Sequence, residues 1–530
     1  MKNRVCPYLL TCLLMFSAFA AAAAAAAPPE TLERLKAGLE SWDVETIWPQ
    51  VQDALREFPR DVELLEIAAQ IAYHRGDYPE ALVLVKQAIA AGGENEGRMG
   101  FALFIEETIN VLAPYKRYES PHFSILLDDR QDGILAEYLI DALGKTHAAM
   151  AAHYGFYPAE KVRVELFPSS VDFYRGSALS VRDIEVTGAV GLTKFNKLQF
   201  LSPMALIHGY RWLDAVSHEY MHYLIMKMTA NHAPIWFHEG LSKFEETRWR
   251  GGPDYLSPVN ITLLAQAQSE NKLIDFEKME PSLIRLETPE EVQLAYAQAA
   301  SAIEFIVFRA GHAGLKTVMD RMGQSRSKGA GEALKEVLGL TFSEFEQQWK
   351  AFLAAKALTP VPGVGIHRYK VREGEVEAER MDLKEIQSLV ARNRAYLGDK
   401  LKEKGRTRAA VIEYQRALAD TSDSVPVMNR LSDALIELGR DGEALAILNR
   451  ILALSPDHPT PYVQLGRIYT KQKEFIKARA AFEDAIQINP FNPEVHAGLA
   501  DIYARLGDQR RSEKERTVAR TIMERYAKTR

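Results

Sequence analysis

Four positions near the end of the chain, Gly405, Gly439, Lys473 and Gly507, are spaced by 34 residues. Ala410, Ala444 and Ala478 keep the same period, as do the pairs Pro456/Pro490 and Pro459/Pro493. A short unit that recurs so strictly can bury its apolar face only against its neighbours. Small residues where helices cross, with proline after the second helix, therefore predict a stack of helical hairpins. From about Asp382 onward the pattern accommodates three full repeats and a basic capping helix, Arg510 to Lys528.

The 34-residue period is that of tetratricopeptide repeats. One more such unit stands near the start, where Ala69, Gly76, Ala81 and Ala88 hold the small-residue positions and Gly76 to Ala81 forms the turn and second-helix start. One repeat cannot cover its own face, so Leu32 to Leu55 is expected beside it as a degenerate partner, and Gly92-Gly93 ends the block. Surfaces of this kind bind protein or peptide partners, or else scaffold what lies between them.

What lies between them, residues 100–357, changes character. Phe123, Ile125 and Leu127 alternate, as do Val162, Val164 and Leu166, predicting half-buried strands around a helix from Ile134 to His153. Val186 to Leu201 reads as a hairpin, in which Gly188 and Gly191 either admit a close-lying chain or simply turn. Helices are expected over Asn260 to Ala267, Pro289 to Ala310, Gly314 to Met322 and Phe342 to Ala355, with a surface loop at Ser325 to Gly331.

The chemistry concentrates between Trp212 and Ser242. His218, Glu219 and His222 form His-Glu-x-x-His in an unbroken helical pattern from Trp212 to Met228. Histidines four apart share one helix face, so both imidazoles can reach one zinc ion, with Glu219 beside it as a base for water. A buried helix carrying these groups without a ligand would suffer uncompensated desolvation. Asn231 to Pro234 breaks the helix, and a second begins near Ile235. There Glu239, 17 residues beyond His222, is the candidate third ligand, with His232 and His238 as rivals; Met228 occupies the position where another geometry would need a histidine.

His-Glu-Tyr-Met-His followed by Pro234-Ile-Trp-Phe-His-Glu-Gly-Leu-Ser242 resembles the gluzincin zinc peptidases of the thermolysin and aminopeptidase N type, most closely peptidase MA-like proteins that carry tetratricopeptide repeats. The resemblance implies an α+β, thermolysin-like domain with a mixed sheet plus helices, flanked by all-α repeats. It makes His218, His222 and Glu239 the Zn2+ ligands and Glu219 the general base. It also offers Tyr296, in Ala295-Tyr-Ala-Gln-Ala299, as the group that steadies an oxyanion; the same residue reads equally as a tyrosine on the core face of a helix. The hairpin before the site helix would be the sheet edge that receives an extended peptide. This chain departs from the pattern where an aspartate often follows the third ligand at plus four: Lys243 stands there. That leaves Asp214, Glu245 and Glu246 as options for orienting a ligand histidine.

Residues 1–27 read as a secretory signal peptide, with Lys2 and Arg4 ahead of an apolar stretch and an alanine run; retention as an anchor is the alternative. Cys6 and Cys12 both lie inside it, so the exported chain would have no disulfide, as suits a bacterial periplasm. A formal charge of -6 with 26% charged residues gives no basic excess for nucleic acid. The expected order is then signal peptide 1–27, repeat-like helices 28–95, peptidase domain 100–357, linker 358–381 with a solvated charge run at Arg372 to Arg380, and repeats 382–530. This describes an exported zinc metallopeptidase recruiting peptide or protein partners through its repeats. The alternative is a periplasmic adaptor with a latent zinc domain.

Overall fold

The computed structural model describes residues 26–177, 188–252, 254–325, 329–365, 370–372 and 378–528. Nearly all of the expected signal peptide, the first two residues of the hairpin, the middle of the 325–331 loop and most of the charge run lie outside these. Among the described residues no helix is long and apolar enough to cross a membrane. The chain divides into two compact units, 1–110 and 111–530.

The first unit is helical: Pro29–Glu40, Val44–Glu57, Val62–His74, Tyr78–Gly92 and most of Glu96–Leu112. Its central hairpin is built as its sequence requires. Asp61 caps Val62–His74 by accepting from Leu64 N at 2.8 Å, and Gly76 makes the turn at φ +82°. Leu64, Leu65, Ala68, Ala72, Ala81 and Leu84 are buried around the crossing.

The second unit opens with a five-stranded mixed sheet: β1 Lys116–Glu119, β2 Phe123–Leu127, β3 Val162–Phe167, β4 Gly191–Lys194 and β5 Lys197–Leu201, in the order β1-β2-β3-β5-β4. The three inner strands run parallel, with Ile125, Val164 and Leu198 in one row and Leu127, Leu166 and Phe200 in the next. The outer strands pair antiparallel, which leaves β4 at an edge. Helices Ala136–Tyr154 and Ser170–Ser177 make the two crossovers and pack on the sheet.

The strands are more deeply covered than alternation predicts. β5 is buried along its whole length, and Glu165, Lys197 and Gln199 are buried with it. Parallel strands covered by crossover helices have no solvated face. The polar residues of the alternation pair with one another instead: Arg163 Nε donates to Glu165 Oε1 at 2.6 Å, and Gln199 Nε2 to Glu165 Oε2 at 2.8 Å. Burial brings the Lys197 ammonium down to a pKa of about 7.

From Trp212 onward the chain is helical. The long helix Pro289–Gln324 is broken at Gly311, φ +68°, close to the expected boundary, and Phe342–Ala355 has its expected limits. The end of the charge run enters a helix, Ala378–Glu385. The repeats then form four hairpins: Leu389–Glu403 with Thr407–Asp420, Val425–Glu437 with Asp441–Leu454, Pro459–Lys471 with Phe475–Ile488, and Pro493–Arg505 with Gln509–Lys528. The expected lone capping helix is thus the second arm of a fourth hairpin, because Pro493–Arg505 buries Val495, Leu499 and Ile502 as the preceding first helices do.

The 34-residue spacing has a direct backbone cause. Gly405, Gly439, Lys473 and Gly507 all turn the first helix into the second with positive φ, at +69°, +74°, +64° and +84°. Glycine enters that region freely, whereas a residue with Cβ is strained by roughly 1 kcal/mol. Lys473→Gly is accordingly expected to stabilise the chain, and Gly439→Ala to destabilise it, each by about 1 kcal/mol in urea unfolding; equal midpoints for Lys473→Gly and the parent chain would contradict the strain.

Candidate metal centre

The site helix, Trp212–Thr229, is buried on nearly every side, with Val216, Tyr220, Met221, Leu224 and Ile225 in the core. It packs against β4, β5, Ala136–Tyr154, Ile235–Glu245, the long helix and the repeat helix Phe475–Ile488. It ends where Ala230 and Asn231 both take positive φ, +48° and +58°, reversing the chain. Pro234 then caps the short helix Ile235–Glu245, which returns alongside. Gly240 lets this helix approach the long one: a Cβ there would lie 2.5 Å from Ala299 O.

Three of the predicted ligand residues converge. His218 Nε2 and His222 Nε2 are 3.1 Å apart, and Glu239 Oε2 lies 3.5 and 3.4 Å from them. Donors bound at zinc's usual 2.0–2.2 Å in a tetrahedron stand roughly 3.3–3.5 Å from each other. The triangle therefore has the dimensions of one tetrahedral face, and its two imidazoles and carboxylate are donors that zinc accepts. Glu239 Oε2 is buried and accepts no well-formed hydrogen bond among the described residues, as suits a lone pair reserved for a cation.

The rivals are placed elsewhere. His232 Nδ1 lies 3.1 Å from Met322 O. His238 Nδ1 is 3.4 Å from His222 Nδ1, behind the ligand face, and burial followed by the nearby His222 depresses its pKa to about 3, keeping the ring neutral. Of the three carboxylates open for orienting a ligand, Glu246 meets one, its Oε2 lying 3.3 Å from His218 Nδ1. Its other oxygen takes Lys243 Nζ, so the lysine at the plus-four position supports the orienting carboxylate instead of supplying it. Asp214 is engaged by Arg250 and Trp249, and Glu245 by Arg248 and Tyr154.

Burial resists charge on His218, but Glu239 and Glu246 outweigh it and raise the imidazole to about 9. Burial likewise opposes ionisation of Glu239, and His222 and His218 overcome it, holding the carboxyl far below its usual range.

Glu219 is positioned by groups that left no mark in the sequence pattern. Thr193 Oγ1, on β4, lies 2.7 Å from Glu219 Oε2 and 2.8 Å from Glu219 O. Gly191 gives the carboxylate room, since a Cβ there would fall 2.8 Å from Oε1. Its bareness thus serves Glu219. Tyr296, half-buried on the long helix, sets its ring edge-on to His218 with centroids 6.2 Å apart. Burial, then the negative charges of Glu239, Glu219 and Glu246, raise its phenol well above 10, so it is a proton donor at neutral pH.

The repeats grip the start of the site helix. Arg211 Nε donates to Asp457 Oδ1 at 2.8 Å and its Nη2 to Tyr462 Oη at 2.9 Å, with Asp484 3.6 Å from Nη1. Trp212 Nε1 donates to Ile486 O at 3.0 Å and Tyr210 N to Ile488 O at 3.0 Å. Gly209, φ +78°, permits this, because a Cβ would meet Ile488 O at 2.0 Å.

Residues 143–355 match the Peptidase MA superfamily, and residues 49–96, 401–468 and 466–507 match tetratricopeptide repeat families. The chain thus carries a Peptidase MA superfamily domain together with tetratricopeptide repeats, in a mostly helical fold with a small mixed sheet. The Hsp70-Hsp90 organizing protein of Triticum aestivum is 28% identical over 112 residues, which are 20% of this chain and 19% of that protein. A crystal structure of MamA is 22% identical with a TM-score of 0.25, covering 29% of this chain and 90% of that one. A thermophilic TPR protein of Thermus thermophilus is 22% identical with a TM-score of 0.23, covering 26% of this chain and 82% of that one.

The raised His218 pKa has a testable sign. In the metal-free chain a folded-state value of about 9, against an unfolded value near 6.5, stabilises the fold fully below pH 6.5 and is lost as pH rises through 9. Lys197, with a folded pKa of about 7, contributes an opposite rise over part of the same window, so the readout is the difference between chains. In chelator the urea stability of the parent chain relative to His218→Ala should fall by about 1–3 kcal/mol as pH rises through that window. A difference that does not change with pH would refute the charged imidazole.

Proposed function

We propose that the chain is an exported zinc-dependent metallopeptidase whose repeats recruit a protein partner or the substrate itself. What supports this reading above all is the triangle of His218 Nε2, His222 Nε2 and Glu239 Oε2 with Glu219 held beside it by Thr193. A purely structural zinc site closes with four protein ligands and has no use for an adjacent base.

His218, His222 and Glu239 would hold Zn2+, which when bound supplies Lewis acidity toward a carbonyl oxygen and toward water. Glu219 accepts the proton of the attacking water and returns it to the leaving amine. Thr193 fixes the Glu219 carboxylate for both transfers, and Glu246 orients His218 through Nδ1. Tyr296, protonated across the neutral range, donates to the oxyanion that develops on the scissile carbonyl. The edge strand β4, next to Glu219, offers backbone groups to an extended peptide. The N-terminal segment would direct this activity to the bacterial cell envelope.

Digestion of a mixed peptide library, read by mass spectrometry, tests the reading. The parent chain should cleave, and Glu219→Gln, holding equal zinc, should lose roughly a hundredfold or more in rate. Tyr296→Phe should lower kcat about 10² to 10³-fold with little change in KM, as removal of an oxyanion donor does. If a zinc-loaded parent chain cleaves nothing, the peptidase reading fails and the adaptor reading replaces it.

A further inference from the structure

Among the described residues, two other groups in the second unit bring histidine and carboxylate donors within 4.8 Å of one another: His153, Glu245 and His312, and His208, Asp382 and His458. Their surroundings separate them. Glu245 is saturated, its Oε1 accepting from Tyr154 Oη and Arg248 Nη2 at 2.8 Å each, and its Oε2 from Arg248 Nε. A guanidinium already neutralises that carboxylate, and a divalent cation would have to displace it.

The other group is differently furnished. His208 Nε2 lies 3.3 Å from Asp382 Oδ1 and 3.9 Å from Glu385 Oε1, and the rings of His208 and His458 are tilted with centroids 4.8 Å apart. The side chains of His208 and Asp382 are 10% and 18% exposed, and His458 is buried. Lys370 engages Glu385 at 2.8 Å, so Glu385 is already countered by a cation. Asp382 Oδ1 is the carboxylate oxygen closer to His208 Nε2.

Leu206 bridges to Val371, Ile207 N donates to Lys370 O at 3.0 Å, and Arg372 N to Ala205 O at 2.7 Å, which holds residues 370–372 against the segment leading to His208. Ala378–Glu385, which carries Asp382, packs on Leu389–Glu403 and Val425–Glu437. The docking of Gly209 to Trp212 on the third repeat brings His458, at the start of Pro459–Lys471, to the same point.

We propose that His208, Asp382 and His458, with Glu385 alongside, form a second divalent metal site that ties the peptidase domain, the linker helix and the third repeat together. Two imidazoles and a carboxylate suit zinc or a neighbouring first-row ion; calcium and magnesium prefer all-oxygen cages. His458 Nδ1 also accepts from Thr460 N at 3.3 Å, a long capping contact that uses the single in-plane lone pair of a neutral imidazole, so metal binding through His458 must displace the cap or shift the tautomer. The second site is therefore weaker than the first.

The test is zinc stoichiometry of the full chain after equilibrium dialysis against zinc alone, read by elemental analysis. The parent chain should hold two equivalents, His208→Ala/His458→Ala one, and His218→Ala/His222→Ala one. Asp382→Asn, a milder change on the linker helix, should weaken the second equivalent roughly tenfold or more. The parent and His218→Ala/His222→Ala chains should also gain thermal stability from zinc through the second site. One equivalent in the parent chain, lost entirely in His218→Ala/His222→Ala, would overturn the proposal and leave an ion pair between His208 and Asp382. Two equivalents retained in His208→Ala/His458→Ala would overturn it as well.

Discussion

Desolvation of charge on one central helix governs this structure. The site helix carries His218, Glu219 and His222 in a position surrounded by sheet, helices and repeats, where an isolated ion would be costly. Each group answers that cost with a partner of fixed geometry: Glu239 for both His218 and His222, Glu246 also for His218, and Thr193 for Glu219, with Lys243 in turn countering Glu246. Partners recruited from β4, from Ile235–Glu245 and from the turn beyond it must all be in place for the helix to be buried. The site and the fold of the domain are therefore one requirement seen at two scales.

The repeats join that requirement from outside. Arg211 and Trp212, at the first turn of the site helix, find their partners on Asp457, Tyr462 and Ile486. Arg211 is one of several like-charged and opposite-charged groups, with Arg250, Asp214 and Asp484, that run from the repeat surface toward Glu246.

Much of this was legible beforehand, for identifiable reasons. Positive φ favours glycine, so the turns at Gly405, Gly439 and Gly507 mark the repeats in the sequence, and Lys473 keeps their spacing without being one. Helical periodicity put His218 and His222 on one face, and the Asn231–Pro234 break placed Glu239 on a returning helix. In the sequence Glu246 is one of three equivalent carboxylates; in the fold Arg250 and Arg248 engage the other two. Thr193 and Gly191 were illegible in their roles, because a hydroxyl or a bare Cα acquires meaning only from what the sheet register places opposite it. Alternation predicts half-buried strands because it reports polarity alone, whereas here Glu165 and Gln199 satisfy each other out of water.

The contact between Trp212 and Ile486 O spans 274 residues of sequence. During synthesis the segment from Trp212 to Glu239 emerges long before the repeat that packs on its first turn. The site helix therefore cannot reach its final packing on a nascent or truncated chain, and a domain assembled this way stays immature until almost its last helices have been delivered.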